Sequence, residues 1–521
     1  MKFLPAIALS LLLTLPAAAQ VHWATLFTAQ DVRDDLTSAA GRDTALAWCR
    51  AHNVDHVYLE NFRNGYSADP AVLAIARDFF RQAGFAVGGC VTTTALGKPS
   101  TGWKIAACYT NLANRDHLRS VFHTAATLFD RILIDDFFFT DCRCSECAAA
   151  RGSRSWEAYR RDLMLDVARH DILDVVHAVN PNAHVILKFP QWYDTWQARG
   201  YRVEAESRMF DDVWIGNETR DPRDARWGQA AQYRAFFITR WLDSIAGAKL
   251  RGGWFDAIDT SPDLYLDQAY ETVLSQVPEI LLFEYGMLQR QGAADAAALQ
   301  AEMPSLMHLS TAIQHTRWQG LATYKPPNSA SEDENYLLDE VGMVGIPLAP
   351  QAVFPQHAPI ALFASQVLGD PLFVPMLAHF LAAGHSAILT APLAHALDGD
   401  PRLPGFKAAS GKDWAELDVL GGHVIMVSDA VLRAAHPAAD AGLLLPTPLP
   451  AVTARLRTLC LRALGIETDA PLRVLLFPGG ATLAVHNVND APATFHIAWP
   501  GAPSRSVTIP AHRALLLPAQ P

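Results

Sequence analysis

Eight short apolar segments, each followed by a helical pattern, alternate along the chain between Val21 and about Arg290. Such a regular alternation of strand and helix, with right-handed crossovers, predicts a closed (β/α)8 barrel. An open doubly wound sheet is the alternative, but it gives no reason for acidic residues after so many strands. The predicted strands are His22–Phe27, Asp55–Leu59, Phe85–Cys90, Ile132–Ile134, His184–Phe189, Asp212–Ile215, Lys249–Phe255 and Glu279–Phe283.

The fourth predicted strand, Ile132–Ile134, runs directly into Asp135 and Asp136. Two adjacent carboxylates at the end of a buried strand are costly to desolvate unless they face a cleft or a partner. In a barrel of this kind the C-terminal ends of the strands converge on one mouth, where catalytic groups are presented. We therefore expect Asp135 and Asp136 to belong to an active site.

Polar and aromatic residues also follow the other predicted strands. For any one of them, a helix cap or a solvated loop charge is an equally good interpretation. That interpretation weakens for the group, because it would have to hold at five or six strand ends at once. These residues are Glu60, Lys188, Trp192, Glu218, Asp256, Glu284 and Tyr285.

The predicted mouth is rich in carboxylates and aromatic rings, and the sequence shows no phosphate-binding glycine loop and no Gly-x-Ser-x-Gly motif. Paired carboxylates beside aromatic platforms are the working set for glycoside hydrolysis, in which one acid protonates the leaving oxygen. The other acid attacks the sugar carbon or activates water. The sequence therefore predicts a glycoside hydrolase of oligo- or polysaccharides that needs no cofactor. A non-catalytic carbohydrate-binding barrel and a metal-dependent hydrolase are the alternatives.

The rest of the chain predicts three segments around a barrel at residues 20–335. Residues 1–19 combine Lys2, an apolar run and three alanines before Gln20, which is typical of a secretion signal. We therefore expect a periplasmic or secreted protein without a membrane span after cleavage. Residues 336–450 predict a small α/β domain, and residues 451–521 predict an antiparallel β-sandwich. The net charge of −11, without a basic face, argues against a nucleic-acid partner.

Seven cysteines are present, and three of them form the cluster Cys142-x-Cys144-x-x-Cys147. Because export places thiols in an oxidising compartment, we favour one or two disulfides at this loop. A zinc site is the alternative, with Cys108 as a fourth ligand brought close in space.

The segment from Phe129 to Asp135 resembles the Phe-Asp-Gly-x-x-x-Asp fourth strand of many barrel glycosidases, with Arg131 in place of the glycine. In several of those enzymes the closing Asp is the nucleophile, which implies this role for Asp135. The same stretch, with Asp136 and Asp141, is also similar to the double-Asp motif of exported poly-N-acetylglucosamine hydrolases. That resemblance implies a role for either acid of the pair.

The domain order resembles that of barrel β-galactosidases with a trimerisation domain, whose α/β unit is similar to a glutamine amidotransferase without its active site. The resemblance implies a homo-oligomer formed through the α/β domain. Those enzymes use two Glu residues, after strands four and seven, whereas strand seven here ends in Asp256. Barrels of α-galactosidase type fit better, and imply a nucleophile Asp on strand four, here Asp135, and Glu218 as proton donor. We keep Asp136 as the alternate to Asp135. The expected sugar-binding or charge-tuning residues are Glu60, Lys188, Trp192, Asp256, Glu284 and Tyr285.

Overall fold

The computed structural model describes residues 21–436 and 449–519, and its first half is a closed barrel. Its strands are β1 (His22–Phe27), β2 (His56–Arg63), β3 (Tyr66–Ser67), β4 (Ala86–Val91), β5 (Arg131–Ile134), β6 (His184–Phe189), β7 (Asp212–Gly216), β8 (Leu250–Asp256) and β9 (Glu279–Phe283). The short β3 pairs antiparallel with β2, and the other eight strands are parallel. β1 pairs with both β2 and β9, which closes the barrel. The predicted (β/α)8 barrel is confirmed.

Side chains of the barrel strands alternate between the lumen and the surrounding helices. In β5, Leu133 belongs to the core cluster of the lumen, whereas Ile132 and Ile134 belong to the outer core. Because the period of a strand is two residues, the next lumen-facing position after Leu133 is Asp135. The same rule places polar side chains above lumen residues of three other strands, namely Glu60 above Tyr58, Lys188 above Ile186 and Asp256 above Trp254.

Thirteen helices accompany the barrel strands. They are α1 (Ala29–Asp35), α2 (Ala39–Ala51), α3 (Pro70–Gln82), α4 (Leu112–Leu128), α5 (Ser145–Arg151), α6 (Trp156–Val167), α7 (Asp174–Val179), α8 (Trp196–Arg199), α9 (Val203–Met209), α10 (Arg234–Ala246), α11 (Pro262–Leu274), α12 (Tyr285–Gln289) and α13 (Ala293–Ile313). The helical segment from Trp156 to Val179 is interrupted by a π-helical turn at Ala168–Leu173. Asp171 in that turn is buried and paired with Arg119 and Arg115 of α4, which anchors the turn to its neighbour.

A second sheet follows the barrel. Its strands are β10 (Leu321–Tyr324), β11 (Leu348–Gln351), β12 (Ile360–Phe363), β13 (Ser386–Thr390), β14 (Trp414–Val419) and β15 (Gly422–Val427), accompanied by helices α14 (Leu337–Met343), α15 (Phe373–Ala382), α16 (Ala391–Leu397) and α17 (Asp429–Leu432). The strand order is β11-β10-β12-β13-β15-β14, and β14 alone among these six runs antiparallel. β10 precedes residue 335, so this sheet begins before the predicted end of the barrel domain.

The chain ends in two three-stranded antiparallel sheets, as the sequence predicts. After helix α18 (Ala451–Ala463) come β16 (Glu467–Thr468), β17 (Val474–Pro478), β18 (Thr482–Asn487), β19 (Ala493–Trp499), β20 (Ala502–Ile509) and β21 (Arg513–Pro518). No helix within residues 21–436 and 449–519 is long and apolar enough to span a bilayer. The predicted secretion signal at residues 1–19 lies outside the described residues.

A buried ionic cluster joins the C-terminal sheets to helix α11 of the barrel. The imidazole of His486 contacts Glu271 at 2.7 Å and Asp267 at 3.0 Å, and His512 contacts the other oxygen of Asp267 at 2.9 Å. His512 also contacts Asp490 at 3.0 Å. Burial disfavours the charge on His486, but Asp267 and Glu271 outweigh burial and raise the pKa of His486 to about 9.

This pKa predicts a fall in stability at alkaline pH. A histidine with a raised folded-state pKa stabilises fully below its unfolded pKa of 6.5, and that contribution disappears as pH rises through about 9. For His486 the contribution is about 3 kcal/mol. As pH rises from 6.5 through about 9, the thermal midpoint of the wild type should fall more steeply than that of His486→Gln. The exposed His496 provides the control, because His496→Gln should keep the wild-type pH dependence. Equal pH dependence in all three proteins would contradict the assignment.

Candidate active site

Lys188, near the end of β6, lies at the centre of a carboxylate cluster at the barrel mouth. Its ammonium Nζ is 2.8 Å from Glu218 Oε1, 2.9 Å from Asp136 Oδ2 and 3.6 Å from Asp135 Oδ1. The Lys188 side chain is 1% exposed, and Nζ also lies 3.8 Å from the ring centroid of Trp254. Burial disfavours the charge, but Asp136, Glu218 and Asp135 outweigh it and raise the pKa of Lys188. One buried cation thus joins the ends of strands β5 and β7.

Both carboxylate oxygens of Asp135 accept hydrogen bonds. Its Oδ2 accepts hydrogen bonds from the Arg63 guanidinium at 2.8 Å and from Thr92 Oγ1 at 2.9 Å. Its Oδ1 accepts one from the backbone N–H of Asp136 at 2.8 Å. Burial works against ionisation, but Lys188 and Arg63 lower the pKa of Asp135 below its ordinary value. Asp135 is therefore ionised at neutral pH.

Glu60, predicted to bind sugar or tune charge, shares Arg63 and Thr92 with Asp135 and does not line the cavity at the barrel mouth. It is fully buried, and its Oε2 accepts hydrogen bonds from Arg63 at 2.7 Å and from the backbone of Ala29 at 3.0 Å. Thr92 Oγ1 also lies within hydrogen-bonding distance of the other Glu60 oxygen, so its single proton is shared between Glu60 and Asp135. Glu60 therefore fixes Arg63, which in turn contacts Asp135.

Asp136 is the most open of the three acids, with 13% of its side chain exposed against 2% for Asp135. Burial raises the pKa of Asp136 to about 7, with Asp135 and Glu218 adding to the effect and Lys188 opposing it. The backbone carbonyl of Asp136 accepts a hydrogen bond of 2.7 Å from the hydroxyl of Tyr201. Asp136 can therefore change its protonation state near neutral pH.

Glu218 follows strand β7 and retains one free oxygen. Oε1 contacts Lys188, whereas Oε2 is buried and has no hydrogen-bond partner within the part of the chain that the structure describes. Burial raises the pKa of Glu218; Asp256 adds to this effect, while Lys188 and Arg220 act against it. A Cβ on Gly216 would lie 2.3 Å from Oε2, so glycine at this position leaves room for the Glu218 carboxyl group.

Asp256, at the end of β8, is paired with Arg220. The guanidinium donates two hydrogen bonds, of 2.9 and 2.6 Å, to the two carboxylate oxygens. Arg220 also stacks on Trp227 at 3.9 Å from the ring centroid. Sequence reasoning missed Arg63, Arg220 and Trp227 as site residues. The signal that could have found the first two is an arginine at the end of β2 and another just after β7, both at the carboxylate-rich mouth.

These groups line one cavity of about 510 Å³ at the barrel mouth, within the range of sugar-sized ligand sites. Its lining includes Arg63, Trp103, Asp135, Asp136, Phe137, Lys188, Gln191, Trp192, Arg199, Glu218, Arg220, Arg226, Trp227, Arg234, Trp254, Asp256, Phe283 and Tyr336. The structure therefore brings together six of the nine residues proposed from the sequence, namely Asp135, Asp136, Lys188, Trp192, Glu218 and Asp256.

Glu284 and Tyr285, expected to bind sugar, do not line this cavity. Phe283 belongs to the core cluster of the lumen and lines the cavity, but the two residues that follow it do not. Glu284 caps helix α12 by accepting hydrogen bonds from the backbone of Met287 at 2.8 Å and Gly286 at 3.0 Å. Tyr285 is buried against Phe27, with 4.5 Å between ring centroids. Both residues are corrected to structural roles.

The predicted disulfides are wrong, because all seven cysteines are free thiols. Cys108, Cys144 and Cys147 lie 3.5–3.8 Å from one another, and Cys142 completes a group whose sulfurs all lie within 4.8 Å. Four thiolates around zinc at about 2.3 Å are about 3.8 Å apart in a tetrahedron. The four sulfurs therefore fit a structural zinc ion, which would tie the loop after Asp136 to the segment that precedes α4.

We expect the purified protein to contain about one zinc ion per chain. Cys144→Ser should lose the metal and lower the thermal midpoint, and a strong chelator should have the same effect on the wild type, because structural zinc contributes folding free energy. Elemental analysis with thermal unfolding measures both effects. The matched control is Cys460→Ser, which changes a buried cysteine in α18 and should retain the metal. Metal-free protein whose mass has fallen by the hydrogens lost in disulfide formation would contradict the assignment.

The chain was compared with curated relatives and solved structures. An uncharacterized protein of Saccharolobus solfataricus is 24% identical over 330 residues, which are 56% of this chain and 54% of that protein, so the match spans about half of the relative. A catalytic mutant of the GH42 β-galactosidase Gan42B from G. stearothermophilus superposes with a TM-score of 0.64 at 10% identity. The α-L-fucosidase isoenzyme 2 of Paenibacillus thiaminolyticus gives 0.60 at 10%. Each match covers 96% of this chain and 98% of the other.

At such low identity the solved structures show a shared fold, and they confirm the architectural resemblance to barrel β-galactosidases. The family is shown by a match to the sequence itself. The family model "Probable glycosyl hydrolase, catalytic domain" matches residues 13–339, which are more than half of the chain. The chain therefore belongs to this glycosyl hydrolase family, and the matched residues include its barrel.

Proposed function

We propose that the barrel cleaves O-glycosidic bonds of an oligo- or polysaccharide with Asp135 and Glu218 as its catalytic carboxylate pair. The observation that carries the proposal is the position of Lys188, whose Nζ contacts carboxylates from β5 and β7 in one sugar-sized cavity. Carboxylates on separate strands can reach a bound sugar from two directions, as general acid catalysis with nucleophilic attack requires.

The pKa values of Asp135 and Glu218 are shifted in opposite directions, as the roles of nucleophile and proton donor require. Asp135 is hydrogen-bonded to Arg63 and Thr92 and has a lowered pKa, which suits a nucleophile that must be ionised. Glu218 has a raised pKa and an unpartnered oxygen, which suits a proton donor. Environments that push two pKa values apart are the usual basis for such a division of roles.

The shared contact with Lys188 keeps the nearest oxygens of the two acids within a distance that allows retention of configuration. Because Lys188 Nζ is 3.6 Å from Asp135 Oδ1 and 2.8 Å from Glu218 Oε1, these oxygens are at most about 6.5 Å apart. Inverting enzymes hold their carboxyl groups roughly 6.5–9.5 Å apart so that a water molecule fits between them. Because Asp135 is held ionised beside Lys188 and Arg63, we propose a double displacement through a glycosyl-enzyme intermediate on Asp135.

Asp136 remains the alternative to Asp135, because it is more exposed and has a pKa of about 7. We assign it to sugar binding and charge adjustment, together with Asp256. A metal-dependent reaction at these acids is disfavoured, because the Lys188 ammonium takes the position that a metal ion would need between the three carboxylates. Trp192, Trp227 and Trp254 line the cavity and supply aromatic faces on which sugars can stack.

The proposal is tested with a panel of α- and β-linked aryl glycosides and oligosaccharides. Hydrolysis of at least one glycoside, followed by proton NMR of the first product formed, should give the anomer of the substrate. An inverted first product would contradict the nucleophilic role of Asp135. Loss of all turnover in Asp136→Asn, with full activity in Asp135→Asn, would transfer that role to Asp136.

A further inference from the structure

The active-site cavity contains more positive than negative side chains. Six cationic residues and four carboxylates line it, although the whole chain has a net charge of −11. Five of the six cations have a carboxylate partner: Arg63 with Glu60 and Asp135, Lys188 with its three acids, Arg220 with Asp256, Arg226 with Asp224 and Asp259, and Arg234 with Asp339. The sixth, Arg199, forms no ion pair with any residue in the described ranges.

Arg199 is held in the cavity wall by its backbone. It is the last residue of α8, and its carbonyl accepts a hydrogen bond of 3.0 Å from the backbone N–H of Thr140. The following Gly200 has a φ of +106°, and a Cβ there would lie 2.6 Å from the Met164 side chain, so the chain can turn at this point only with glycine. Tyr201 then donates to the Asp136 carbonyl. The Arg199 backbone is therefore fixed to the segment that carries Asp135 and Asp136.

The guanidinium of Arg199 rests on aromatic rings that do not neutralise it. It lies 4.7 Å from the ring centroid of Trp192, 5.2 Å from that of Phe139 and 5.5 Å from that of Trp103. Nη1 is buried and has no hydrogen-bond partner within the described part of the chain. A buried N–H group without an acceptor is unfavourable, and the cost is removed when a ligand supplies one. Stacking thus orients a planar donor group while leaving its charge available.

We infer that Arg199 recognises an anionic substituent of the sugar, the carboxylate of a uronic acid or a sulfate ester. A planar guanidinium donates two parallel hydrogen bonds to such a group, and stacking on aromatic rings fixes its plane in advance. The inference rests on the proposed function, which it extends by naming the substrate class. Trp192 and Trp103, which flank Arg199 in the cavity wall, would contact the apolar face of the same sugar residue.

The test compares aryl uronides and sulfated glycosides with their neutral counterparts. We expect kcat/KM to favour an acidic substrate by about tenfold or more, the scale of a hydrogen-bonded charge pair. Arg199→Met should reduce kcat/KM for that substrate about 10- to 100-fold and change it much less for the neutral one. Arg199→Lys should recover part of the preference. The matched control is Arg226→Met, which removes a cavity-lining arginine already paired with Asp224 and should leave the acidic-to-neutral ratio within about threefold.

Equal losses on acidic and neutral substrates in Arg199→Met, or a wild-type preference for neutral sugars, would overturn the inference while leaving glycoside hydrolysis intact. Direct binding of glucuronate, galacturonate and sulfated monosaccharides, measured by NMR against glucose and galactose, separates the two proposals. Binding of an acidic sugar that depends on Arg199, with no hydrolysis of any glycoside, would uphold the inference and refute the catalytic assignment. Whether uronates or sulfated sugars bind more tightly distinguishes the two anions.

Discussion

Asp135→Asn is expected to lower kcat for an activated aryl glycoside by about 10⁴- to 10⁶-fold, the scale seen when a nucleophile or another essential catalytic residue is removed. The amide keeps the shape of the side chain but cannot form the glycosyl-enzyme ester. Arg63 and Lys188 keep their other carboxylate partners, Glu60 and Glu218, so the thermal midpoint should change by only a few degrees. Steady-state kinetics together with thermal unfolding separate the catalytic loss from any loss of folded protein.

Glu218→Gln should behave differently, because a proton donor matters in proportion to the basicity of the leaving group. Its kcat/KM should fall about 10²- to 10⁴-fold for natural linkages and much less for a dinitrophenyl leaving group, which departs without a proton. The wild-type rate should also fall as pH rises through the raised pKa of Glu218, because the donor is then deprotonated. This alkaline limb should be absent in Glu218→Gln with the dinitrophenyl substrate.

Azide distinguishes the two variants. In Glu218→Gln it should intercept the intermediate and give a glycosyl azide of retained configuration. In Asp135→Ala, which leaves room beside the sugar carbon, azide should replace the missing nucleophile and give the inverted azide. Asp136→Asn serves as the comparison and should lose only about 10- to 100-fold, as expected for a lost charged hydrogen bond to the sugar. Wild-type activity in Asp135→Asn would contradict the assignment.

Lys188→Met is expected to lower the free energy of unfolding by about 3–5 kcal/mol, because it leaves three buried carboxylates without their shared cation. The loss should be larger at neutral pH than at about pH 5, where Asp136 and Glu218 can take up protons. Chemical denaturation at the two pH values measures the difference. Adding Glu218→Gln to Lys188→Met should restore part of the stability, since one of the stranded charges is then removed.

The control for this prediction is Lys98→Met, which breaks a pair with Glu146 that is exposed on both sides. Such surface pairs contribute about 1 kcal/mol or less. If Lys188→Met unfolded at the same denaturant concentration as Lys98→Met, Lys188 would not be the cation that holds the cluster together.

The lumen-facing part of the site could be predicted from the sequence, because side chains alternate between the two faces of a strand with a period of two residues. Asp135, Lys188 and Asp256 each lie two positions after an apolar residue of the lumen, so one rule orients all three. Glu284 lies past the end of β9, where it caps helix α12 and does not line the cavity, so strand periodicity does not predict its position. The closed barrel could also be predicted, because eight successive strand-helix units can be counted from local sequence patterns.

Long-range partners could not be predicted, because no local pattern encodes them. Cys108 is 34 positions before Cys142 in the sequence, so its approach to the other thiols depends on the path of two loops. The pairing of His486 with Glu271 joins segments 215 positions apart. No sequence pattern indicates that Arg199 lacks an ion pair in the described ranges, because this depends on which carboxylates the other five cavity cations contact.

The central claim is that Asp135 is the nucleophile of a retaining glycosidase, and trapping the intermediate tests it most directly. A 2-deoxy-2-fluoro glycoside with an activated leaving group, matched to the best substrate of the panel, should add one sugar mass to the protein. Trypsin cleavage after Arg131 and Arg143 should place the label on the peptide between them, and fragmentation should assign it to Asp135. A label on Glu218, Asp256 or Asp136, or hydrolysis of cleavable substrates with no trapped intermediate, would contradict the account.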